Sequence, residues 1–146
     1  MANQKVQLID LKGNKHFLVE LIQEKKLNLI LFYNTNCLGC TGRAIPLAYQ
    51  LQQNYPIVNL IVIHSNFKRE PLSRDEVLSV FTNQESPMEI YVEDQHELYD
   101  YFRCEGTPHW ILMNDQKEIL HSFFGSQEGS QMKLSYAIEE FQEQFS

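Results

Sequence analysis

The chain has 146 residues, with 12 lysines and arginines against 19 aspartates and glutamates, a formal net charge of −7. That length is the ordinary size of one domain, able to bury about two thirds of its unfolded surface without disulfide staples. The acidic balance argues against a nucleic-acid footprint or an anionic-membrane patch, since the basic cluster Lys68, Arg69 and Arg74 is too sparse to reverse it.

Three cysteines, an odd number, argue against a secreted disulfide framework. No stretch approaches ~18 uninterrupted apolar residues, and the opening MANQKVQLIDLKG lacks the apolar core of a secretory signal. The expectation is a soluble, cytoplasmic protein. No repeat, low-complexity tract or composition break divides it, so residues 1–146 read as a single domain.

A short strand is predicted at Val6–Leu11, closed by Gly13-Asn14. Phe17, Leu18, Leu21 and Ile22 then share one face of a predicted helix. Leu27–Tyr33 is almost continuously apolar, the pattern of a strand covered on both faces. Ala44, Leu47, Ala48 and Leu51 recur at helical spacing up to Asn54-Tyr55-Pro56, and Ile57–Ile63 is a second buried strand. Ser73-x-x-Glu76 reads as a capping box before Val77, Val80 and Phe81; Asp94-x-x-Glu97 repeats the pattern before Leu98, Tyr101 and Phe102.

Between those helices Met88–Val92 is a strand. His109–Met113 and Glu118–Phe124, joined by the turn 114–117, form an antiparallel hairpin, with Trp110, Phe123 and Phe124 at strand spacing. Leu134, Ala137, Ile138, Phe141 and Phe145 mark a last amphipathic helix. The order β-α-β-α-β-α-β-α-β-β-α predicts parallel strands joined by helical crossovers, finished by a hairpin and a covering helix: a three-layer α/β/α sandwich.

The chemistry-bearing stretch is TNCLGCTG, residues 35–42, where Cys37 and Cys40 fall between a buried strand and a helix. The unpaired N–H groups at a helix start stabilise a thiolate, which predicts a lowered pKa and a nucleophilic role for Cys37. Cys40 lies one turn inside, close enough to close a disulfide and placed to resolve a mixed one. A bare C-x-x-C is also half of many zinc sites; here the only other cysteine is Cys104 and no H-x3–5-H pattern occurs, so no metal is expected. Inert packed thiols are the remaining reading.

These residues resemble the thioredoxin-fold family, in its TlpA/ResA-like branch of thiol-disulfide oxidoreductases. The resemblance is carried by Phe32-Tyr33-Asn34-Thr35-Asn36-Cys37-Leu38-Gly39-Cys40, by Pro46, by Gly106-Thr107-Pro108 and by the second half up to Phe124. Within the branch, the small cytoplasmic YkuV-like members look most similar, including the strand ending Val62-Ile63-His64.

The resemblance implies a thioredoxin-like sandwich around a mixed sheet and a redox-active Cys37–Cys40 disulfide with no other cofactor. It further implies a cis peptide before Pro108 and a docking edge for an extended substrate chain at Thr107, Pro108 and Asn36. Protein disulfides would be the substrates, and a thioredoxin-reductase-like protein or small thiols the electron donor.

The chain also departs from the family pattern. Asn36 stands where thioredoxins carry Trp, and Leu31 where they bury Asp. Arg43 stands where TlpA/ResA relatives often place Glu, and Pro46 falls one residue late. Leu38, Gly39, Arg43 and His109 are candidates for tuning the cysteines. His64 lies at a strand end where α/β proteins place their sites, and Cys104 is a possible third redox thiol or simply packed. The competing functions are a binding or metal-holding module on the same scaffold and a thiol peroxidase. Asn34 and Ile30 stand where a peroxidase of the P-x-x-x-[T/S]-x-x-C type needs Thr or Ser and Pro.

Overall fold

The computed structural model describes residues 6–70, 72–81, 83 and 85–144. Seven strands form one mixed sheet: β1 Gln7–Asp10, β2 Lys15–Phe17, β3 Leu27–Tyr33, β4 Val58–Ser65, β5 Ile90–Glu93, β6 His109–Met113 and β7 Ile119–Phe124, in the spatial order β2-β1-β5-β4-β3-β6-β7. Among the described residues five α-helices accompany it: α1 Leu18–Leu21, α2 Ile45–Asn54, α3 Arg74–Leu78, α4 Glu97–Tyr101 and α5 Glu128–Glu143.

The centre is the parallel pair β3–β4, aligned from Leu27↔Val58 to Tyr33↔His64. β5 adds parallel to β4, while β6 adds antiparallel to β3 and β7 antiparallel to β6. Every residue of β3 is buried, because helices cover both faces. Alternation along β3 sends Leu27, Leu29, Leu31 and Tyr33 toward α2, α3 and α5, into a cluster with Cys40, Ala48, Val77, Leu134 and Ile138. Ile30 and Phe32 face the other way, toward Leu18, Leu98 and Phe102 of the α1 and α4 side.

Three expectations need correction. Phe17, expected on a helix, instead ends the strand Lys15–Phe17: the Asp10 carboxylate accepts the N–H groups of Lys12 and Asn14 at 2.8 and 2.9 Å, folding the chain into a hairpin. Only the single turn α1 follows. In consequence β1 runs antiparallel to β5, with Leu8 opposite Glu93, instead of joining the parallel set. Lastly, Asp94 does not cap α4. The buried carboxylate of Glu93 does, accepting the N–H groups of Leu98 at 2.7 Å and Tyr99 at 3.2 Å.

The Ser73–Glu76 capping box of α3 forms as expected, each partner bonding the other's main chain. Phe145, expected on the last helix, lies outside the described residues.

The late position of Pro46 has a structural counterpart. Between the cysteine loop and α2, residues Cys40–Ala44 make a π-helical turn, and the Cys40 carbonyl accepts the N–H of Ile45, five residues on. Proline cannot donate to the carbonyl four residues back and its ring crowds it, so widening the turn by one residue places Pro46 in the first turn of α2.

Leu31 is fully buried at the middle of β3. Leu31→Ala should lower unfolding free energy by about 3 kcal/mol in urea denaturation, the transfer loss plus the cavity left behind.

Candidate active site

Where β3 and β4 end, the chain leaves the sheet at Asn34, and three segments gather: the turn 34–39, the end of β4 at 64–66 and the loop 105–108. The first is tied down bond by bond. The Asn34 carbonyl accepts the N–H of Cys37 at 3.0 Å, and its Oδ1 accepts the N–H of Asn36 at 2.9 Å. His64 Nε2 accepts the N–H of Thr35 at 3.1 Å. Helical structure then starts at Leu38.

Cys37 is partly exposed and Cys40 is fully buried. The N–H of Cys40, shared with the Cys37 carbonyl at 3.1 Å, donates to the Cys37 sulfur at 3.2 Å, so a donor at the helix start points at it. The Cys37 thiol in turn donates to the Thr107 carbonyl at 3.2 Å. Burial, and next the Cys37 side chain beside it, push the Cys40 thiol well above the ordinary range, while the Asn34 main chain and the Thr107 side chain pull it back. The pair is asymmetric: one sulfur at the rim, one sealed beneath it.

The Thr107–Pro108 peptide is cis, and its loop lies against the cysteine turn. A Cβ on Gly39 would come within 2.9 Å of Ser126 Oγ and 3.8 Å of Pro108 Cδ, so glycine there allows the close approach. Gly106 is pressed likewise against the Phe124 ring, which would stand 2.8 Å from a Cβ. The cis-proline loop and β6 are tied to the residue after β7 by the Gly125 N–H on the Pro108 carbonyl at 2.9 Å and by Trp110 Nε1–H on the Gly125 carbonyl at 2.8 Å.

The other candidates divide clearly. Leu38 projects between the cysteines with 87% of its surface exposed, an apolar side chain left in solvent at the mouth of the site. Asn36 is exposed beside it. Arg43 lies at the surface and donates to Gln127 Oε1 at 3.1 Å.

His109 is not a neighbour of the sulfurs. Alternation along β6 sends Trp110 and Leu112 to the Cys40 side and puts His109, Ile111 and Met113 on the opposite face. There its Nε2 bonds Ser122 Oγ at 2.8 Å. Cys104 packs against that same far cluster, its thiol pushed up to about 12 by burial first and by Glu93 and Asp100 second. It is a packed cysteine, apart from the pair.

Sequence reasoning missed Asn34 and Tyr33. Asn34 sits at a strand end, where an asparagine favours a local turn, a weak signal that was available. Its Nδ2–H to the Ser65 carbonyl, 3.0 Å away, was not readable without the register of β3 and β4. Tyr33 faces the Cys40 side at the end of β3, its ring edge-on to His64 with centroids 5.0 Å apart. Among the described residues, Tyr33 Oη and His64 Nδ1 are the buried side-chain polar atoms without a hydrogen-bond partner. Also among the described residues, no group of three or more His, Cys, Asp or Glu side chains is placed to hold a metal ion.

No family model matches the sequence, and no curated protein sequence matches it. Solved structures do resemble its fold. A provisionally named thiol:disulfide interchange protein DsbE from Chlorobium tepidum superposes with a TM-score of 0.76 at 13% identity, over 92% of this chain and 91% of that one. DsbF of MTB, in mixed oxidized and reduced forms, gives 0.74 at 13% identity over 97% and 98%. The exposed lipoprotein thioredoxin Etrx1 of Streptococcus pneumoniae gives 0.72 at 12% over 92% and 97%. At such identities the likeness establishes the fold: this is a thioredoxin-like α/β domain with a mixed sheet.

Burial holds His64 down at about 4, against an ordinary value near 6.5, with Glu76 raising and Lys68 lowering it by smaller amounts. Between those values the unfolded chain binds a proton that the native state refuses, so stability falls as pH drops from 6.5 to 4. His64→Gln, which keeps an acceptor for Thr35 and does not titrate, should lose less. Denaturant titrations at pH 7, 5.5 and 4 should show wild type falling behind the variant by up to roughly 3 kcal/mol.

Proposed function

We propose that the protein is a thiol-disulfide oxidoreductase that exchanges a Cys37–Cys40 dithiol with protein disulfides, within the TlpA/ResA-like branch. The observation that carries this reading is the asymmetric pair: a rim sulfur receiving the Cys40 N–H at 3.2 Å above a buried thiol held protonated. Neither inert core thiols nor a metal site requires that arrangement.

The steps follow from the geometry. Cys37, as thiolate, attacks one sulfur of a client disulfide; that bond breaks, and the departing client sulfur takes up a proton. A mixed disulfide now joins Cys37 to the client. Cys40 gives up its proton and attacks the Cys37 sulfur, expelling the second client thiol and closing Cys37–Cys40. Two electrons have passed to the client.

Engaging Cys37 in the mixed disulfide also ends the hydrogen bond and charge by which the free Cys37 raises the Cys40 pKa, while leaving its sulfur within reach, so Cys40 ionises more readily at the step that needs it. Small thiols or a thioredoxin-reductase-like protein return the pair to the dithiol. A reducing compartment, the cytoplasm, would run the cycle in this direction.

The client docks as an extended segment along Thr107 and Pro108, with Asn36 at the edge. Leu38 and the half-exposed Phe124 offer apolar contact on either side of the loop.

Purified protein should accelerate dithiothreitol-driven reduction of insulin. Cys37→Ser should abolish the acceleration, a loss of at least about a hundredfold, because no other sulfur is placed to attack. Cys40→Ser should accumulate a mixed disulfide with insulin, seen by mass on a non-reducing gel. Full activity in Cys37→Ser would overturn the reading.

A further inference from the structure

The dithiol reading leaves open what holds the two sulfurs in register, and the inference here rests on that reading. The bonds of Asn34 converge on the question. Its carbonyl takes the Cys37 N–H at 3.0 Å, its main chain sits against the Cys40 sulfur, and its side-chain oxygen takes the Asn36 N–H at 2.9 Å. The remaining group, Nδ2–H, reaches across to the Ser65 carbonyl at 3.0 Å. One side chain thus touches the loop that carries the cysteines and the strand beside it.

The far end of that contact is rigid. Ser65 is fully buried, and its hydroxyl donates to Glu93 Oε2 at 2.6 Å. The Glu93 carboxylate is itself buried and bonded to the first N–H groups of α4, at Leu98 and Tyr99. The next residue, Asn66, donates its N–H to the carbonyls of Glu93 and Gln95 at 3.3 and 3.1 Å. The end of β4 is therefore clamped to β5 and α4, and the strand end cannot shift without breaking charge-assisted bonds in a dry interior.

We propose that Asn34 is the positioning residue of the dithiol: its amide hangs the Cys37–Cys40 turn from the Ser65 carbonyl, an anchor fixed by the Glu93 carboxylate. The role is spacing. Resolution of a mixed disulfide is an intramolecular attack, and its rate depends on holding Cys40 in line with the Cys37 sulfur. The Asn34 main chain bonds one cysteine and contacts the sulfur of the other, and its side chain, bonded to the Asn36 N–H and the Ser65 carbonyl, fixes where that main chain sits, so it controls the alignment without touching the client.

The test uses the full chain with Cys104→Ser as background. Reduced protein is mixed with glutathione disulfide: Cys37 thiolate forms a mixed disulfide and releases one glutathione, then Cys40 attacks Cys37, releasing the second and closing the intramolecular bond. Stopped-flow quench and mass spectrometry follow the resolving step. The pH profile of Cys37 alkylation by iodoacetamide is measured alongside, and circular dichroism reports the fold.

Asn34→Ala should slow resolution at least about fivefold, the scale of one lost hydrogen bond. It should also move the alkylation profile to higher pH, because the Cys40 N–H is no longer held on the sulfur. Ser65→Ala keeps the carbonyl and loses only the hydroxyl to Glu93, so it should slow resolution in the same direction by less, and it reads the same anchor if Asn34→Ala fails to fold.

Wild-type resolution and an unmoved profile in a folded Asn34→Ala, or in Ser65→Ala should that be the only variant that folds, would overturn the proposal. If wild type itself forms no intramolecular disulfide, the dithiol reading fails. The alkylation profiles of wild type and variant then still decide whether Asn34 positions Cys37.

Discussion

The parallel pairing of β3 with β4, ending at Tyr33 opposite His64, is the constraint on which the site depends. One residue beyond it the two chains part, yet they stay joined by side chains: His64 holds the Thr35 N–H and the Ser65 carbonyl holds Asn34. Strand pairing in the interior is strong because both faces are covered and no backbone group has water as an alternative. The cysteine loop inherits that rigidity. A slip of one residue would turn Tyr33 and His64 to the other face and detach the loop from its anchors.

Rigidity at the strand ends allows chemistry with little charge nearby. On the Cys40 side of β3 the buried Leu31 brings no charge, and Arg43 lies at the surface. The Cys40 side of the sheet instead carries Tyr33 and His64, both buried and both with an unpaired polar atom. Burial keeps these groups neutral: the tyrosine is raised by desolvation first and by Cys40 second, and the histidine is lowered. The ionisation of Cys40 is therefore governed mainly by its desolvation and by whether Cys37 lies beside it as a free thiol.

Glu93 shows how a single buried charge can serve the fold and the site together. Desolvation raises its pKa, opposed by the bonds from Ser65, Leu98 and Tyr99. It caps a helix of five residues that carries no cap of its own, and it immobilises the residue to which the cysteine loop is tied. The π-helical turn after Cys40 does comparable work on the other side, taking up the late Pro46 so that α2 still packs Ile45, Ala48 and Leu51 into the core.

What the sequence determined by itself was whatever near neighbours decide. The apolar run Leu27–Tyr33, the capping box at Ser73, the turn at 114–117 and the helix-start cysteines are local patterns, and each is in the structure where its spacing placed it. The rest was settled by partners far along the chain. Asn34 meets Ser65 from 31 residues away, Cys37 meets the Thr107 carbonyl from 70, and β1 takes its direction from β5. The same distance effect removed His109 from the site: its neighbour Pro108 borders the cysteine turn, but one step along a strand reverses the face. Local sequence sets dihedral preference and amphipathic period; which ends meet, and which side chain points at a sulfur, is decided only when the sheet register closes.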